Sequence, residues 1–209
     1  TTLGALAIVN SRIAVNTKLV QLQELTSYRD LLKPSLRGQI VMTDPTISGS
    51  GLSWFSMASR LMEVDYIKEL LKQDLLISRD FRLQNDWVSR GKYAVGIGVN
   101  PGGVAASKQD GAPISMLPPF KEGVDLGFAG GMVAIVNRNP HPNATKVFIN
   151  WVLSKEGQTI HSRAQGIASR RIDVPTDHLD SWMIPDPSFN YIIESEQGVV
   201  DEYKKIELA

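Results

Sequence analysis

The chain has 209 residues and no cysteine. Disulfides, thiolate metal sites and cysteine nucleophiles are therefore excluded together. Histidine is almost as scarce: His141, His161 and His178 are scattered, and no two stand at i, i+4. The sequence thus has no His-x-x-x-His or His-Glu-x-x-His zinc site, and no metal is expected. No apolar run approaches the ~20 residues of a membrane-spanning helix. An excess of one charge is missing too, since 22 Lys and Arg face 22 Asp and Glu. That balance argues against nucleic-acid binding driven by phosphate attraction and against a polybasic membrane-surface protein. There is no internal repeat and no low-complexity tract. Residues 1–9 do not read as a signal peptide, and a mature or trimmed chain would look the same.

What is present reads as an ordinary globular composition, 43% hydrophobic and 21% charged. Residues 3–15 (LGALAIVNSRIAV) predict two strand-like pieces around Asn10 and Ser11. Residues 28–33 predict a short helical turn stopped by Pro34, and residues 38–43 a buried strand bounded by Gly38 and Pro45. Trp54, Met57, Ala58, Leu61 and Met62 recur at helical spacing. A second helix is expected from Asp65, with Ile67, Leu70 and Leu71 inward. Strands are expected at 75–77, 93–99 and 113–117, and Asn85 is the expected N-cap of a helix that Gly91 stops. Residues 128–136 read as a loop feeding a buried strand. Pro142 or Asn143 opens a helix whose apolar face is Ala144, Val147, Phe148, Trp151 and Val152. Ser154 stops it and caps the next helix, and a weaker one is expected near 196–206. Strands alternating with helices indicate an α/β fold.

Catalytic motifs are wanting. Gly49-Ser50-Gly51 lacks the spacing of a Gly-x-Ser-x-Gly elbow, and no Walker lysine follows it. Ser89 and Lys92 match Ser-x-x-Lys in letters, but Gly91 ends the helical register that chemistry needs. An enzyme is therefore not expected. Residues 44–51 (DPTISGSG) offer something else, because they follow a strand and open a helix. A helix start carries free N–H groups and a partial positive charge. Gly49 and Gly51 let a ligand approach the backbone, and Ser48 and Ser50 add hydroxyls. The alternative is a plain N-cap, for which serine and glycine also suffice. Asn100, Gly102 and Gly103 follow the expected strand 93–99, and Gly130 and Gly131 precede another. Glycine pairs at strand ends suit a cleft where backbone meets a small molecule, or an ordinary turn.

Taken in order, these segments resemble one family. Residues 28–51 (YRDLLKPSLRGQIVMTDPTISGSG) are similar to the pattern dLl.P.wkGki...DP..sG.g of bacterial extracytoplasmic solute-binding proteins of ABC importers. The branch is the one that includes ferric-iron-binding proteins. Residues 90–97 (RGKYAVGI) resemble its sGey.vgi strand, and 108–114 (KQDGAPI) its k.GaPv. Residues 139–158 (NPHPNATKVFINWVLSKEGQ) resemble NPeaAk.FidflLskegQ, and 169–175 (SRRIDVP) the pvr.dv segment.

The resemblance implies a type II periplasmic-binding-protein fold with two lobes. Residues 18–125 with 175–209 would form the second lobe. Residues 1–17 and 126–174 would supply crossover strands and a remnant of the first. Family members begin with a first-lobe segment that has no counterpart here, so the chain is expected to be a fragment. Its Val147, Phe148 and Trp151 face would then lack cover and promote self-association. The implied ligand site lies between lobes, against Ser48, Gly49, Ser50, Gly51, Asn100, Gly102, Gly103, Gly130 and Gly131. Closure would hinge near Val15 and Asn16 and over residues 127–132. No cofactor is implied, and the partners are a small-molecule or oxyanion solute and an ABC permease. Iron-binding members carry adjacent tyrosines after the vgi strand, where this chain has Asn100-Pro101. The expected solute is accordingly a small anion rather than bare ferric ion. The implied location is periplasmic or extracellular, with a membrane-anchored lipoprotein form of the full-length protein compatible with it. The alternative is a ligand-sensing effector domain of a receptor or regulator.

Overall fold

The computed structural model describes residues 3–5, 7–8, 12–47, 49–124 and 132–184. Ser48, Gly130, Gly131 and the helix expected near 196–206 lie outside the described residues. Strands β1 (Leu3–Ala5) and β2 (Ala7–Ile8) precede β3 (Ile13–Asn16). Then come β4 (Ile40–Thr43), α1 (Ser50–Leu71), β5 (Leu76–Ser78) and α2 (Phe81–Ser89). β6 (Val95–Ile97), α3 (Pro101–Gln109) and β7 (Ile114–Met116) follow. β8 (Met132–Ala134), α4 (Pro142–Val152), α5 (Lys155–Gln165) and β9 (Ala168–Ser169) come last.

Strands β3 to β7 make one sheet in the order β5-β4-β6-β3-β7. β5, β4 and β6 run parallel, and β3 lies antiparallel between β6 and β7. From β4 the chain steps out to β5 at the edge, then back across to β6. The direction of winding therefore reverses between β4 and β6. The opening strands pair elsewhere: β1 with β8, and β2 with β9.

Period-two alternation sets the two faces of the sheet. Ile13, Val15, Ile40, Met42, Val95 and Ile97 enter one apolar cluster with Trp54, Ala58, Tyr66, Ile67 and Leu70 of α1. Ala14 and Val41 enter the opposite cluster with Val88 of α2 and Val104 of α3. With helices on both faces every strand residue needs apolar cover, which is why β3 and β4 are buried throughout. Each fully buried side chain of this size contributes roughly 1.5–3 kcal/mol. Asn16 fastens the end of β3, donating from Nδ2 to the Val88 carbonyl at 2.8 Å and accepting from Lys18 N at 3.0 Å.

Three expectations change. α2 begins at Phe81, not after Asn85, because Asp80 Oδ1 accepts from Arg82 N and Leu83 N at 2.9 and 3.0 Å. Asn85 sits inside the helix, buried. α1 breaks at Glu63 (φ 66°, ψ 166°), so the second helix starts just beyond it. Ile67 and Leu70 are buried as expected, whereas Leu71 is 56% exposed. The strand before Val136 is not buried: Ala134, Ile135 and Val136 are all exposed. On α4 the apolar face lacks cover, as expected, with Val147 70%, Phe148 57% and Trp151 44% exposed, and Val152 alone of that face buried. α5 packs against α3, and Ser154 caps it by accepting from Gly157 N at 3.1 Å.

Candidate functional site

The carboxyl ends of β4, β5 and β6 open onto one edge of the sheet. Ligands of open α/β sheets lodge there, at the point where winding reverses. After β4 the chain turns at Asp44-Pro45-Thr46. Asp44 Oδ1 accepts from Thr46 N at 2.8 Å and from Thr46 Oγ1 at 2.6 Å, an Asx turn. Asp44 Oδ2 accepts from Arg79 Nε at 2.7 Å. The Thr46 hydroxyl first, and Arg79 next, hold the Asp44 carboxyl down to about 2.

Gly49 starts α1 with φ 143°, a conformation open to glycine and strained for other residues. Gly51 lies against the end of β4, where a Cβ would collide with the Thr43 carbonyl. Ser50 Oγ donates to the Gly98 carbonyl at 2.5 Å. Its proton is thus directed at the neighbouring loop, and only its lone pairs remain for another donor. The Gly98 carbonyl also lies 2.9 Å from Thr43 Oγ1, which is 2.7 Å from Gln84 Oε1. Gln84 is wholly buried, and its Nε2 donates to the Ile97 carbonyl at 2.7 Å and to the Val41 carbonyl at 3.2 Å. It fills the gap where β4 and β6 part. On the far side the Arg12 carbonyl accepts from Gly98 N and Val99 N at 2.7 and 3.1 Å. The loops after β4 and β6 are thereby tied together beneath the start of α1.

Asn100 begins α3 rather than a free loop. Its Oδ1 accepts from Gly103 N at 2.9 Å, a cap, and its carbonyl accepts from Asn85 Nδ2 at 3.2 Å. Gly102 and Gly103 are there for packing. A Cβ on Gly102 would lie 3.0 Å from Gln165 Oε1 of α5, and one on Gly103 would strike the Asn85 amide. Of the expected site residues, Ser50 and Gly51 meet Gly98 at the crevice, with Gly49 just before them and Asn100 two residues beyond Gly98. Ser48, Gly130 and Gly131 are not described. The sequence reading gave Asp44 no role of its own and missed Arg79 and Gln84, which become its neighbours only through the parallel pairing of β4 with β5 and β6. Beside the crevice a small pocket lined by Tyr28, Trp54, Met57, Pro118 and Phe120 opens between α1 and the loop after β7. Among the described residues no group of three or more His, Asp or Glu is placed to hold a metal.

A protein-family model described as bacterial extracellular solute-binding protein matches residues 23–159. An uncharacterized protein of Haemophilus influenzae is 28% identical over 137 residues, 64% of this chain and 38% of that protein. The periplasmic binding protein AfuA from Actinobacillus pleuropneumoniae, solved with exogenous fructose-6-phosphate bound, matches with a TM-score of 0.67 and 25% identity. That match covers 98% of this chain and 66% of AfuA. Iron-bound HitA from Pseudomonas aeruginosa shares the fold, with a TM-score of 0.63 and 18% identity, over 91% of this chain and 60% of HitA. The chain therefore spans 38% of the length of the curated relative and 66% of that of AfuA. Its fold is the type II periplasmic-binding-protein fold. The family match runs over well over half of the residues, and the chain belongs to the bacterial extracellular solute-binding protein family.

Proposed function

We propose that this chain is the solute-binding component of an ABC importer. It captures a small anionic solute in the periplasm or extracellular space and delivers it to the permease. The observation that carries this reading is the crevice at the winding reversal, where the amide-bearing start of α1 and the loop after β6 meet at one edge of the sheet. AfuA, similar over nearly all of this chain, holds a phosphate ester. HitA holds iron, but here Asn100 and Pro101 follow β6 and offer no phenolate. Residues 18–125 with 175–209 act as one lobe, with 1–17 and 126–174 as crossover strands and remnant of the other. The pairings of β1 with β8 and of β2 with β9 support that division, and β3, at the end of 1–17, is the crossover strand that enters the sheet of the 18–125 lobe.

The reading includes no bond-breaking step. One trio invites comparison with a hydrolase: Ser162 Oγ lies 3.0 Å from His178 Nε2, and His178 Nδ1 lies 3.9 Å from Asp177 Oδ1. Ser162 is buried, however, and its hydroxyl donates to the Ile167 carbonyl at 2.7 Å. A nucleophile must reach substrate and give its proton to the base. This serine does neither, and the trio instead holds residues 176–179 against the end of α5. The exposed α4 face further supports self-association of the chain.

Calorimetry with fructose 6-phosphate, inorganic phosphate, neutral fructose and ferric ion tests the proposal. Binding of one or both phosphates with no response to ferric ion is the expected result. Tight ferric binding with no anion response overturns the anionic-solute reading.

A further inference from the structure

Arg79 is the first residue after β5 and stands at the same sheet edge as the start of α1. Asp44 joins the two: its N–H donates to the Ser78 carbonyl at 2.9 Å, and its own carbonyl lies against Gly51 in the first turn of α1. The Asp44 carboxylate is fixed by two bonds from Thr46, and its second oxygen takes Arg79 Nε at 2.7 Å. That contact uses one of the five guanidinium N–H groups. Among the described residues the guanidinium has no second partner, and the Arg79 side chain is 74% exposed. An exposed ion pair adds little stability. A carboxylate anchored at three points, whose arginine is largely exposed and engaged through Nε, is poorly explained as a strut. It is well explained as a mount.

We propose that Arg79 reads the anionic group of the solute, with Asp44 and Thr46 as its positioning residues. This rests on the solute-capture reading above. The contact through Nε leaves the pair of terminal nitrogens without a partner among the described residues, a fork that matches two oxygens of a carboxylate or phosphate. Asp44 stays ionised in neutral solution, so the fork holds its orientation before solute arrives. Because Asp44 balances the charge of Arg79, the pair selects by fork geometry more than by net charge. The ligand class is a small molecule bearing a terminal two-oxygen anion.

The test uses the 209-residue chain with inorganic phosphate, citrate and, as the uncharged control, glycerol. Binding is followed by calorimetry and by the guanidinium NMR resonances of Arg79. An anion should shift the terminal-nitrogen signals of Arg79, and glycerol should not. Arg79→Gln should weaken anion binding by about tenfold or more, the scale of losing a charged hydrogen bond. Arg79→Lys should lose a smaller factor, keeping charge without the fork. Thr46→Val should lose severalfold and move the Arg79 Nε signal, while its thermal melting stays that of a folded chain. If Arg79→Gln binds the anions as tightly as the parent chain, Arg79 is not the reader and the capture reading survives. If an anion binds by calorimetry without shifting Arg79, this role for Arg79 falls alone; if the parent chain binds glycerol alone, or no anion at all, the anionic-solute reading falls with it.

Discussion

At Gly51 a single methyl group decides how closely α1 approaches β4. Its Cβ would strike the Thr43 carbonyl, a backbone atom held in the sheet. Gly51→Ala is expected to cost about 1–3 kcal/mol, the range for overpacking, measured by urea unfolding. Gly49 differs, with open space around its missing Cβ but φ at 143°. A β-branched residue there would strain the start of α1. Asp44 makes a pH prediction. Its carboxyl drops from 3.8 to about 2 in the folded chain, chiefly through the Thr46 hydroxyl and then Arg79. A depressed carboxyl stabilises the fold above its unfolded value, and that contribution is lost as pH falls from about 4 towards 2. The urea midpoint should fall more steeply across that window in the parent chain than in Asp44→Asn. Parallel slopes would show that Asp44 is not held as described. The site was legible in the sequence only where one segment carried it. Gly49 and Gly51 between a strand and a helix announced a close approach, but Ser50 read as a free donor because its acceptor, Gly98, lies on another loop. Arg79 had no local signal at all, since its meaning comes from standing beside Asp44 on a neighbouring parallel strand.

At the scale of elements, alternation made the strands legible. Ile40 and Met42 point one way and Val41 the other, with apolar residues on both sides. The same rule failed for α2. Its inward residues are Gln84, Asn85 and Val88, two of them amides that bind strand and loop carbonyls, while Phe81 and Leu83 face outward. Apolar periodicity therefore missed its first turn and mistook Asn85 for a cap. α1 carries a different irregularity. Glu63, at φ 66° and ψ 166°, occupies a region that is nearly glycine's alone. Glu63→Gly should relieve that strain, less the added entropy of the unfolded chain, for a net gain of about 1 kcal/mol. Differential scanning calorimetry should record a raised melting temperature, and a lowered one would refute the strain.

For the whole molecule, the exposed face of α4 is the surface on which the proposed self-association rests. Phe148 and Trp151, with ring centres 6.4 Å apart, and the neighbouring Val147 form an exposed apolar surface. Sedimentation velocity should show mass rising with concentration, and Phe148→Ser with Trp151→Ser should shift the distribution towards monomer. A monomer at every concentration would count against self-association. The sheet has a further consequence in time. β3 lies inside it, between β6 and β7, yet Ile13 pairs with Ile97 and Asn16 with Ile114. During synthesis at ~5–20 residues per second, β3 must wait roughly 4–17 s for its first neighbour in the sheet to emerge. Ribosome-bound chains halted before Val95 should therefore leave this segment open to protease, and those halted well past Met116 should shield it.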